Sequence, residues 1–113
     1  MDGREVLLER DGPLARITLN RPQVLNAMNL GWVQALERVA REVAAWPDVK
    51  VVLLRGAGRS FCSGLDLDML GREKMPPGFF DGQERAFRIL EELDAITIAV
   101  SYTHLTLPTI YSV

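Results

Sequence analysis

The sequence predicts an α/β fold. Three observations carry that reading: two apolar, partly alternating runs flank Asp11-Gly12, an amphipathic stretch spans 29–45, and the β-branched run Val49–Leu54 follows directly. Asp-Gly between such runs is a hairpin signal, because glycine takes the positive φ that a tight turn needs. Pro13 delays the second strand, which then stops at Asn20-Arg21-Pro22, where proline removes a ladder donor and restrains the residue before it. Asn29 is positioned to cap a helix running to about Ala45, with Leu30, Val33, Leu36, Ala40, Val43 and Ala44 at steps of three and four. Glu37, Arg38, Arg41 and Glu42 take the opposite side, and Pro47 ends the helix.

Further along, 55–66 is a glycine-rich loop, Leu65 to Leu70 suits a short helical turn, and 73–82 reads as an irregular excursion with Pro76, Pro77 and two glycines. Gln83 to Leu93 has helical spacing through Phe87, Leu90 and Leu93, and Ile96–Val100 reads as a buried strand. The order β-β-α-β-α-β implies a mostly parallel sheet with helical crossovers.

Composition narrows the function classes. The chain has 113 residues, 48% of them hydrophobic, and a net charge of -2, which argues against a general nucleic-acid surface. One cysteine and one histidine form neither an internal disulfide nor a structural zinc site, so no metal is expected. The longest apolar run is far too short to span a bilayer. The acidic start, Asp2, Glu5 and Glu9, is unlike a secretory signal, so the expected location is cytoplasmic, with no membrane partner.

In open α/β sheets ligands sit beyond the carboxyl ends of the strands, so the loop after Leu54 is the first place to look. Three motifs fail there on spacing. Phe61 occupies the third glycine position of a dinucleotide fingerprint, no Lys-Ser/Thr follows Gly64 as a phosphate loop requires, and Phe61 and Leu65 stand where a nucleophile elbow around Ser63 needs glycines. Two readings stay open: a plain connector, or recognition of an oxyanion by backbone amides around Ser63-Gly64-Leu65-Asp66.

Two segments make the resemblance specific. Leu19-Asn-Arg-Pro-Gln-Val-Leu-Asn-Ala-Met28 resembles the strand-to-helix signature of the crotonase (enoyl-CoA hydratase/isomerase) superfamily, and Gly56-Ala-Gly-Arg-Ser-Phe-Cys-Ser-Gly-Leu-Asp-Leu67 resembles its glycine-rich loop. They occur in the family's order, and the resemblance covers Val6 to Val100, roughly a third to a half of a usual superfamily domain. It implies a crotonase (ClpP-like) fold, here truncated. It also implies chemistry on an acyl-CoA thioester, with the backbone N–H of Leu65 as one of two oxyanion-hole donors.

By the same resemblance Ser63, Gly64, Asp66 and Leu67 line the substrate pocket, and Gln23, Val24 and Ala27 lie near the CoA moiety. No cofactor is implied, because coenzyme A belongs to the substrate, and superfamily members resemble one another in forming trimers or hexamers. Hydration of a 2-enoyl-CoA leads. Double-bond isomerisation, acyl-CoA hydrolysis and a non-catalytic binding module of the same fold are the alternatives.

The chain also departs from the family. After the strand ending at Val100 the family continues into a Gly-Gly-Gly run that supplies the second donor, whereas Ser101 to Ile110 contains no glycine. Ser, Thr and Tyr make up seven of the last thirteen residues, none of which is Lys, Arg, Asp or Glu. Residues 1–100 therefore read as the amino-terminal part of a crotonase-type domain, and 101–113 as a foreign or misread tail. A chain without the second donor and the acid/base glutamates of the family is expected to be nearly inactive alone.

Other reactive-looking residues have plainer readings. His104 has no partner at a recognisable spacing, and Cys62 suits a packed core thiol. Trp32 and Trp46 suit packing. Arg21 and Arg59 suit either CoA phosphates or solvent.

Overall fold

A computed structural model describes residues 5–58, 61–62, 64, 76–102 and 108–112. Strands β1 (Val6–Asp11) and β2 (Leu14–Leu19) form the expected hairpin across Gly12-Pro13, paired from Val6↔Leu19 to Asp11↔Leu14. Helix α1 (Leu30–Ala44) leads to β3 (Val51–Gly56), and α2 (Phe79–Glu91) leads to β4 (Ile96–Tyr102). A fifth strand, β5 (Pro108–Ser112), pairs antiparallel with β4. The sheet order is β1-β2-β3-β4-β5, with β2/β3 and β3/β4 parallel.

The sheet differs from the sequence expectation in three ways. Besides the antiparallel hairpin expected at one end, the other end is antiparallel too, through β5. Strand β3 begins two residues later than the apolar run, because Val49 is still in the turn, its N–H donating to Trp46 O at 3.2 Å. At its other end β3 includes Arg55 and Gly56, which pair with Thr18 and Leu19. The backbone after Val100 also stays in the sheet: the open edge of β4 offers unpaired peptide groups, and Thr109-Ile-Tyr111 has the residue types that pair well there.

Both crossovers step in the same direction along the sheet, so both helices lie on one face and pack on each other. Ala15, Ile17 and Leu19 from β2 and Val52 and Leu54 from β3 meet Val33, Leu36, Val39, Ala40 and Val43 of α1 in one buried cluster with Phe79, Ala86 and Leu90 of α2. The buried face of α1 is wider than the heptad pattern required, taking in Gly31, Trp32 and Ala35, because α2 covers its flank. Asn29 caps α1 as expected, its side chain accepting from Trp32 N at 2.9 Å, a contact typically worth about 1 kcal/mol. Trp32 is buried, and Trp46 lies half-buried beneath the Arg10 guanidinium, 4.9 Å from its ring centroid. Arg10 also pairs with Asp48.

Helix α2 starts four residues before the expected Gln83. Pro76 and Pro77 stand ahead of its first turn, where their missing N–H groups cost nothing. Gly82 lies inside the helix because a Cβ there would come within 2.9 Å of Val33 Cγ1. The sequence pattern read that glycine as loop chemistry; it marks instead the point of closest approach between two helices.

One ion-pair group ties the helices together. Glu37 of α1 accepts from Arg41 Nη2 at 2.8 Å and from Arg85 Nε and Nη2 of α2 at 3.1 and 3.3 Å. The hydrogen bond from Arg85, followed by that from Arg41, holds the Glu37 carboxyl below its ordinary value of 4.5. A depressed carboxylate stabilises the fold at pH above its unfolded value, and that contribution is lost as pH falls through the folded value. Glu37→Gln is therefore expected to lower the thermal midpoint at pH 7 and to differ progressively less from the parent as pH falls below about 4.5. Parallel melting curves across that range check it; a gap that persists unchanged at pH 2 would contradict it.

Candidate functional site

Parallel pairing of Leu19 with Gly56 brings the chain exits of β2 and β3 to the same end of the sheet. The 20–29 segment and the described residues Ala57, Gly58 and Gly64 of the loop after β3 therefore meet at the carboxyl ends of the strands, where ligands of open α/β sheets bind. Ala57 N donates to Leu19 O at 2.8 Å, closing the first contact between them.

The 20–29 segment is a 3-10 turn, Pro22–Val24, followed by two residues in the left-handed region, Leu25 (φ 55°) and Asn26 (φ 59°). Asparagine visits that region readily and leucine does not. The turn is held by its own polar groups. Asn26 is fully buried; its Oδ1 accepts from Arg21 N at 2.6 Å and its Nδ2 donates to Ala57 O at 2.9 Å. Arg21 Nη1 donates to Ala27 O at 2.5 Å. The guanidinium of Arg21 thus braces its own turn, a role the sequence did not single out.

The two signature segments meet a second time where Met28 N donates to Gly64 O at 2.7 Å. Gly64 has φ +111°, a conformation that residues with a Cβ rarely adopt; among the described residues nothing lies within 4 Å of where a Cβ would stand. The backbone dihedral by itself constrains this position. Helix α2 flanks this junction: Gln83 Nε2 lies 3.3 Å from Met28 Sδ. Phe80 and Phe87, about one turn before and after Gln83 on the same side of the helix, are exposed by 57% and 38%.

Of the residues picked from the sequence, Gln23 and Val24 are exposed on the turn, and Ala27 is buried, with its N–H bonded to Val24 O and its carbonyl to Arg21. Gly64 lies at the junction. Ser63, Leu65, Asp66 and Leu67 lie outside the described residues, as do Arg59, His104 and the turn expected at 65–70. Cys62 is a free, half-buried thiol packed against the core, as expected. Among the described residues no group of His, Cys, Asp and Glu could hold a metal, and no helix is long and apolar enough to cross a membrane. Asn26 was the residue missed as a site residue; its signals were its place in the first signature motif and an amide side chain between Leu25 and Ala27.

A family model described as enoyl-CoA hydratase/isomerase matches residues 14–104. A probable enoyl-CoA hydratase of Mycobacterium leprae is 36% identical over 91 residues, covering 80% of this chain and 31% of that protein. The mitochondrial 3-hydroxyisobutyryl-CoA hydrolase of Rattus norvegicus is 39% identical over 71 residues, covering 62% of this chain and 18% of the hydrolase. A Thermobifida fusca protein solved in complex with acetoacetyl-CoA superposes with a TM-score of 0.72 at 31% identity, covering 86% of this chain and 42% of that one. The chain spans less than half the length of each of these relatives.

Proposed function

Since this chain belongs to the enoyl-CoA hydratase/isomerase family, we propose that the protein carrying it acts on acyl-CoA thioesters, most directly by hydrating a 2-enoyl-CoA, with the Leu65 backbone N–H as an oxyanion donor. The observation that carries this reading is the junction itself. Two motifs some thirty residues apart are brought together by the Met28–Gly64 hydrogen bond at the carboxyl ends of two parallel strands. Negative charge on the thioester oxygen grows along any enolate or tetrahedral route, and a fixed amide dipole stabilises it without reorganising. One such donor contributes about 3 kcal/mol.

Several details follow from the same reading. Gln23 and Val24, exposed at the outer rim, serve the CoA moiety, while Ser63, Asp66 and Leu67 line the thioester pocket. The rings of Phe80 and Phe87 supply an apolar wall for the acyl chain. No cofactor is used, the location is the cytosol, the assembly is a trimer or hexamer, and the crotonase-type unit corresponds to 1–100. Hydrolysis of an acyl-CoA is the second reading, favoured by the 39% identity over 71 residues to a 3-hydroxyisobutyryl-CoA hydrolase.

Crotonyl-CoA turnover tests the proposal. A protein of the relatives' length with this sequence is expected to turn over at an ordinary enzyme rate, on the order of 10 per second. The 113-residue chain by itself, lacking the glycine run for a second donor, is expected to be slower by a factor of about 100 or more. A normal rate from the short chain would show that a second donor from a glycine run is not part of the machinery.

A further inference from the structure

We propose that the Met28 backbone N–H, seated by the buried Asn26 side chain, is a positioning group for the oxyanion donor: it holds the Gly64 carbonyl and so aims and polarises the peptide unit that follows. The proposal rests on the reading of Leu65 as donor and says what points that donor. A peptide unit is a rigid plane that is almost always trans when no proline follows, and across a trans bond its C=O and N–H leave opposite edges. Fixing the Gly64 oxygen on Met28 N at 2.7 Å therefore fixes where the next N–H is directed.

Glycine makes such a hold necessary. At φ +111° Gly64 sits where no side chain restrains rotation, and glycine's own backbone preferences are weak. An external donor on its carbonyl selects one orientation of the plane. The same donor strengthens the N–H on the other edge, since hydrogen bonds in series polarise one another by about 10–30% each. Both effects act on charge that develops during reaction.

Asn26 sets the position of Met28. The consecutive left-handed residues Leu25 and Asn26 turn the chain sharply, a conformation that costs on the order of 1–3 kcal/mol at an unfavourable residue and persists only where its surroundings enforce it. Here the enforcement is the Asn26 amide, which spans from Arg21 N on the β2 side to Ala57 O on the β3 side. The turn, the loop and the Gly64 carbonyl are thereby linked through partly buried hydrogen bonds.

The test uses the 113-residue chain, which is short enough for total synthesis. In the unmodified chain an NMR scalar coupling across the hydrogen bond from Met28 15N to the Gly64 carbonyl carbon is expected; its absence overturns the proposal whatever the variants do. Replacing the Ala27–Met28 amide by an ester removes the Met28 N–H and also weakens the Ala27 carbonyl that accepts from Arg21 Nη1, whereas Asn26→Asp leaves that carbonyl intact, removing the donor to Ala57 O while keeping the acceptor for Arg21 N. Both are expected to move the Leu65 15N resonance upfield. With acetoacetyl-CoA labelled at the thioester carbon, the infrared band shift on binding is expected to fall by about half or more while Kd changes less than about threefold. Folded variants with the parent's Leu65 resonance and band shift would overturn the proposal. An unmodified chain that binds the ligand without any band shift would overturn the oxyanion reading itself, a failure told apart by an intact coupling.

Discussion

In a protein of the relatives' length, Gly64→Pro is expected to lower kcat by about 10²–10³-fold, the loss typical of removing one oxyanion donor. Proline locks φ near −65°, whereas Gly64 stands at +111°. The chain must rotate at this residue, carrying the carbonyl away from Met28 N and re-aiming the following N–H. Gly64→Ala is expected to act in the same direction more weakly, through the strain of holding an alanine at φ +111°; among the described residues no atom lies within 4 Å of its Cβ. Leu65→Ala keeps the amide and is expected to cost mainly packing. Because the donor's bond strengthens as charge develops, the effect of Gly64→Pro should fall on kcat more than on KM. Steady-state kinetics on folded variants decide it: an unchanged kcat in Gly64→Pro would remove the Leu65 amide from the mechanism.

Gly82→Val is expected to cost about 3 kcal/mol or more, a large part of the 5–15 kcal/mol that holds a typical domain folded. A Cβ at this position would lie 2.9 Å from Val33 Cγ1. Val33 is buried, and its branched side chain has little rotamer freedom to yield. Gly82→Ala sets the two relevant effects against each other. Alanine gains about 1 kcal/mol in helix propensity, while overpacking a tight contact costs about 1–3 kcal/mol, so a net loss is expected. Denaturant unfolding with the double variant Val33→Ala/Gly82→Ala checks the cause, since the pair should recover part of the loss. A stabilised Gly82→Ala single variant would show that the helices can part without penalty.

The comparison of Gly64 with Gly82 shows how far residue patterns reach. Gly64 belongs to a motif of fixed spacing, so its place in the glycine-rich loop after β3 was legible from the residues alone. Gly82 lies among Pro76, Pro77 and Gly78, where local chemistry argues for irregular chain; only contact with Val33, nearly fifty residues away, makes it a helix residue. Arg21 and Asn26 divide similarly. Both lie within the first motif, yet the choice for Arg21 between phosphate, solvent and its own turn follows from the 2.5 Å bond to Ala27 O.

By itself the sequence determined the hairpin, the capped helix α1, the α/β class and the two motifs, because turn geometry, hydrophobic period and cap chemistry act between residues a few positions apart. The tertiary structure decided the start of α2, the pairing of β5 with β4, the wide burial of α1 and the Met28–Gly64 junction. Each of those depends on groups far apart in the chain meeting across the parallel pairing of β2 with β3 or the packing of α1 on α2. Such contacts exist only once the sheet has set the distances between them.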